Sequence, residues 1–128
     1  MNLAQKIREN PRRSFVYALA FCYAVGGLLH LLDVLDLRAE FSKMDPTQKN
    51  WTLFLLIADL LTAVLLLKRQ VWGLFGFHLV AISQLIAYGV YQDIFGRQDF
   101  LMIFHIATLT IFWKIYAREK RQFYDSRQ

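Results

Sequence analysis

Five side chains in this sequence are of types that could do chemistry in an apolar setting: His30, Asp33, Asp59, Gln84 and His105. Asp59 stands in the middle of WTLFLLIADLLTAVLLLKR, Trp51 to Arg69, a run otherwise apolar enough to enter a bilayer. An aspartate at a helix centre raises the cost of insertion by about 2.5–3.5 kcal/mol, which neighbouring leucines can offset. Two kinds of role follow. Neutral and hydrogen-bonded to Gln84, Thr62 or a histidine, Asp59 would glue a helix bundle or a partner subunit together. Ionisable, it would relay an ion or proton, or anchor a cationic substrate, with His30 or His105 nearby.

The histidines raise a further chemistry. His30 and His105 could supply axial ligands to a b-type haem, or bind a metal together with Asp33 or Asp59. No HxxxH or HExxH motif is present, so no metal site and no resident cofactor is predicted, with haem b the one cofactor the histidines leave open. Catalysis has little footing. The serines, Ser14, Ser42, Ser83 and Ser126, have no histidine and carboxylate at a recognisable spacing, and no glycine loop resembles a phosphate cradle. The single cysteine, Cys22, supports neither a disulfide framework nor a CxxC redox pair, and reads as a small packing residue.

Elements that could position these side chains are visible as four apolar blocks in 128 residues that are 56% hydrophobic. The first is SFVYALAFCYAVGGLLHLLDVL, residues 14–35; the others cover 51–67, 71–91 and 100–116. At 1.5 Å rise per residue, about 20 residues cross a hydrocarbon core of roughly 30 Å. The reading is an all-α, integral-membrane, antiparallel four-transmembrane-helix bundle, a single domain with basic ends at 1–13 and 117–128. Small-x-small Ala18-Leu19-Ala20 comes too early in the run for signal cleavage. Bulky Phe21 spoils a lipoprotein box before Cys22, so the first block is expected to be an uncleaved anchor.

Lysine and arginine set the direction of threading. The N-terminal segment, the connector Lys68-Arg69-Gln70 and the C-terminal part together hold 11 of the 15 basic residues, against 4 in the other two connectors. Both termini are therefore expected to be cytoplasmic, in a bacterial inner membrane. The net charge of +5 is spent on headgroups and orientation, so nucleic acid is not expected as a partner. Asp36 to Asn50 is long enough for an interfacial helix before Pro46, with Asp45-Pro46-Thr47 as a turn or helix start. Met1 to Asn10, with Leu3 and Ile7 on one face, and the tail Arg118 to Tyr124 could lie on the inner leaflet.

Polar side chains in lipid face inward. His30 and Asp33 share a helix face with Gly26 and Gly27, where another backbone can approach closely. On the third block Gly73, Phe77, Ala81, Gln84 and Tyr88 form one stripe, with His78 displaced to its side. Counted from the outer ends, His30 and His105 lie roughly 6–8 Å deep, Gln84 about 10 Å and Asp59 about 12 Å. His30, Asp33, Asp59, Gln84 and His105 are thus placed in one polar cluster in the outer half of the bundle, and Gly26, Gly27 and Gly73 at helix contacts.

GGLLHLLD at the end of the first block and ADLLTAVLLLKRQ in the second resemble the DoxX-type family of small four-helix membrane proteins. The acidic position of that family's second helix would be Asp59, and the lysine that often follows its first-helix glycine is His30 here. The resemblance implies a membrane-integral accessory or redox-associated subunit. The function expected is an accessory or interaction subunit, packing through polar and glycine faces against itself as a homo-oligomer or against a larger membrane complex. The alternatives are an oligomeric transporter or ion-translocating protein using Asp59, and a haem- or quinone-associated redox subunit using His30 and His105.

Overall fold

The computed structural model describes residues 2–128, the side chains of Lys6 and Ile7 excepted. It is 83% helical, with no strand among the described residues. A short α1 (Leu3–Glu9) leads into α2 (Pro11–Val34), then α3 (Pro46–Leu67), α4 (Val71–Gly89), a one-turn α5 (Gln92–Phe95) and α6 (Asp99–Asp125). Helices α2, α3, α4 and α6 are each long and apolar enough to cross a membrane. The expected Leu3–Ile7 face of α1 lies partly outside the described residues, because it needs the Ile7 side chain.

Local chemistry explains the helix ends. Asn10 caps α2, its side chain accepting from the Arg13 amide at 3.1 Å, and Pro11 follows at the first helical position. Asp45 caps α3 in the same way, accepting from Gln48 N at 3.0 Å ahead of Pro46. The two caps start these helices three and five residues before the apolar blocks at 14 and 51 begin. Both helices stop in left-handed turns without glycine, at Asp36 (φ 55°) and Arg69 (φ 56°). There Leu37 N donates to Leu32 O and Gln70 N to Leu65 O, each at 2.9 Å, which satisfies carbonyls of the last turn.

Two segments differ from expectation. Residues 36–45, before α3, hold no interfacial helix, only a 3-10 turn at Phe41–Lys43, because Asp36 accepts from Ser42 N at 2.8 Å and folds the backbone on itself. The basic tail does not form a separate element either. Residues after Tyr116 continue α6 without a break to Asp125, since Arg118 to Gln122 are good helix formers uninterrupted by Gly or Pro.

Helix α2 packs most extensively on α3, α3 on α4 and α4 on α6, while α6 touches α2 only lightly. The core between them comprises Leu19, Ala20, Tyr23, Leu55, Ala63, Leu66, Phe77, Val80 and Ala81. Glycines set the closest approaches. A Cβ on Gly73 would sit 2.7 Å from the Leu66 backbone nitrogen, and one on Gly27 3.3 Å from that of Leu60. The start of α2 meets the end of α6 through Arg12 and Glu119 at 3.3 Å. The start of α3 meets the end of α4, where Trp51 Nε1 donates to the Tyr88 hydroxyl at 3.2 Å. Around that core, polar side chains are also buried and large apolar ones cover much of the surface. Asp33, Asp59, Gln84 and His105 are buried, whereas Phe21, Ile57, Trp72 and Ile103 are exposed.

Candidate functional site

The loose α2–α6 seam opens onto a cavity of about 280 Å³, walled by Tyr23, Gly26 and His30 of α2, Asp59 of α3, Gln84 of α4 and His105 of α6. Phe100 and Phe104 form its apolar side, and Arg38 and Gln98 stand at its rim. Each helix contributes polar groups because each turns its polar stripe inward. Tyr23, Gly26, Gly27, His30 and Asp33 recur at helical spacing along one face of α2.

Asp59 lies opposite Gly26, and the glycine is what leaves room for it. A Cβ at Gly26 would stand 2.8 Å from Asp59 Oδ2. The nearest basic group to Asp59 is His30, with Nε2 at 3.7 Å from Oδ2, beyond hydrogen-bond reach. Asp59 Oδ1 is buried and has no hydrogen-bond partner among the described residues. His30 Nδ1 faces the second carboxylate, Asp33 Oδ2, at 3.5 Å, and also lacks a formed bond. The imidazole therefore lies between two carboxylates, held tightly by neither.

Asp33 is differently placed. Arg38 clasps it in a two-point ion pair, Nε to Oδ1 at 2.7 Å with Nη2 on Oδ2. This takes Asp33 out of the cavity wall and leaves it behind His30. On the far wall, His105 Nε2 and Gln84 Oε1 are 2.9 Å apart, so His105 donates there and its Nδ1 is a buried acceptor with no partner among the described residues. Five predicted residues thus divide: His30, Asp59, Gln84 and His105 line one cavity, and Asp33 is locked beside it. His78 lies apart, its Nδ1 donating to Leu74 O at 2.7 Å, with its ring packed on Phe112 and Trp113.

The predicted glycines all serve contacts within the chain: Gly26 against Asp59, Gly27 against Leu60 and Gly73 against Leu65 and Leu66. Sequence reasoning missed Arg38, Gln98, Phe104 and Tyr23 as parts of the site. Tyr23 was within reach, two turns before His30 on the same stripe. Arg38 gave no periodic signal, because it follows the left-handed turn at Asp36. No group of three or more metal-ligating side chains is assembled among the described residues. The arrangement offers a polar cavity in which two lining residues, Asp59 and His105, each carry a buried acceptor, Oδ1 and Nδ1, without a partner among the described residues.

Beneath Asp59 the interior is closed. Thr62, Leu66, Phe77 and Leu19 are buried there, and the Tyr23 hydroxyl donates to Phe77 O at 3.3 Å. Beyond the cavity rim, Arg97 pairs with Asp99 at 2.7 Å and Lys43 with Glu40 at 2.9 Å. The Asp99 hydrogen bond, then its charge, hold the Arg97 guanidinium above its ordinary pKa. Both of these cations are therefore occupied by carboxylates.

Compared with known proteins, residues 12–122 match the model of DUF6163, a family of unknown function. No curated protein and no solved structure matches the chain.

Proposed function

We propose that this chain, which belongs to the DUF6163 family, is a four-span antiparallel protein of a bacterial inner membrane with both ends cytoplasmic. In this reading it is an accessory subunit whose outer-half cavity binds a small guest with a cationic or hydrogen-bond-donating head. Insertion is supported by the exposed apolar surface, since aliphatic and aromatic side chains there have no hydrophobic reason to face water. The placement of 11 basic residues at one end supports the direction.

The observation that carries the binding reading is Asp59, a residue lining a cavity at the α2–α6 seam, whose carboxylate has a buried oxygen, Oδ1, without a partner among the described residues. Such a group costs stability of about 1–3 kcal/mol unless something donates to it. Charge favours a cationic guest. The cavity's end of the molecule carries Asp33, Asp36, Glu40, Asp45, Asp93 and Asp99 against Arg38, Lys43, Lys49 and Arg97. The buried Thr62, Leu66, Phe77 and Leu19 beyond Asp59 favour a binding role over translocation through one chain. The predicted association with itself or a larger complex is also part of the proposal, through lipid-facing surfaces rather than the glycines, which are used internally.

The test is co-purification in mild detergent with mass spectrometry of both proteins and small molecules, on the wild type and Asp59→Asn. The amide keeps the shape and removes the charge. The expected result is a small cationic or amine-bearing molecule in the wild type that is depleted about tenfold or more in the variant, as for loss of a charge-assisted hydrogen bond. Equal small-molecule content in two equally folded proteins would refute the binding reading.

A further inference from the structure

The opposite end of the bundle carries a second cavity, about 290 Å³, where the start of α2, the end of α3 and the start of α4 meet. Three guanidiniums line it, from Arg12, Arg13 and Arg69, over an apolar floor that includes Val16 and Leu74. Arg12 is shared with Glu119. Arg13 and Arg69 have no carboxylate within ion-pair reach among the described residues, and both lie against the Tyr17 ring, at 5.6 and 6.0 Å from its centroid. Two cations thus lie against one aromatic ring, with no carboxylate among the described residues to neutralise either.

Arg69 is directed there by its backbone. It occupies the left-handed conformation at φ 56°, where the Cβ of a non-glycine residue crowds the following carbonyl oxygen. Glycine would make the same turn without that strain. Helix α4 begins beside it with no side-chain cap on its first turn, which adds partial positive charge to the pocket.

We infer that this pocket binds an anionic phosphate headgroup of a lipid of the surrounding leaflet, the phosphate between Arg13 and Arg69 and the first part of an acyl chain along Val16 and Leu74. Guanidinium forks fit phosphate oxygens, and the apolar floor asks for a guest that is charged at one end only. Arg12, Arg13 and Arg69 also disfavour a headgroup that carries its own cation. The inference rests on the membrane reading above but not on the cavity at Asp59.

The experiment uses the full chain, purified in detergent and stripped of lipid. Phosphatidylglycerol, phosphatidylcholine with the same acyl chains, and inorganic phosphate are titrated separately, with melting temperature and native mass spectrometry as readouts. The wild type is expected to hold phosphatidylglycerol about tenfold more tightly than phosphatidylcholine. Arg69→Gly removes one guanidinium and relieves the backbone, so the unliganded variant is expected to melt no lower than wild type while losing most of that preference. Lys120→Gln with Arg121→Gln, near the end of α6, is expected to leave it unchanged. Full preference in Arg69→Gly, or equal loss in the tail variant, would overturn the site. Protection by inorganic phosphate equal to that by the lipid would overturn the assignment to a lipid. A chain that stays dissolved without detergent would instead refute the membrane reading.

Discussion

Replacing Asp59 by leucine should make the bundle more stable, not less. The two side chains have the same number and branching of heavy atoms, so a leucine here fills the space that Asp59 fills opposite Gly26. What is lost is small: Asp59 forms no hydrogen bond among the described residues, and its closest basic group, His30, stands 3.7 Å away. What is gained is relief of a buried acceptor without a donor, worth about 1–3 kcal/mol. Against this, methyl groups are larger than carboxylate oxygens, and the 2.8 Å approach to the Gly26 Cβ position leaves little slack, so crowding removes part of the gain. The net expectation is a stabilisation of about 1–2 kcal/mol. Reversible unfolding in mixed micelles, followed through the fluorescence of Trp51, Trp72 and Trp113, measures it. Should Asp59→Leu be destabilised by more than about 1 kcal/mol, Asp59 would be holding the bundle together.

Other outcomes follow from the same geometry. Gly73→Ala should cost about 1–3 kcal/mol in that assay, since its Cβ would meet the α3 backbone at 2.7 Å and the helices must part. Gly89→Ala, whose Cβ meets only the flexible Met102 Cε at 3.4 Å, should stay within about 0.5 kcal/mol of wild type. Arg38→Gln strands the buried Asp33 carboxylate. Because the arginine side chain is 48% exposed, the cost should be about 1–2 kcal/mol rather than the roughly 3–5 expected of a fully buried pair, and thermal unfolding at neutral pH would show it. Reporter fusions at residue 128 and in the Gly96 loop should report opposite sides of the membrane, with the C-terminal fusion cytoplasmic; the reverse result would invert the threading.

The sequence alone determined the four long apolar helices, the helix start at Asp45-Pro46, and the inward face of each helix, because these depend on residues close together in the chain. The stripe through Gly26, His30 and Asp33, and that through Gly73 and Gln84, follow from helical spacing. The tertiary structure decided which of these groups meet. It gave Asp33 to Arg38 across a left-handed turn, set His30 between two carboxylates and paired Gln84 with His105. It also left Asp59 Oδ1 without a donor and gathered three arginines from distant segments into one pocket. Spacing fixes the rotation of a residue about its own helix axis. The rotation and height of one helix against another depend on where backbones can touch, at Gly26, Gly27 and Gly73, and those contacts join residues separated along the chain by unrelated sequence.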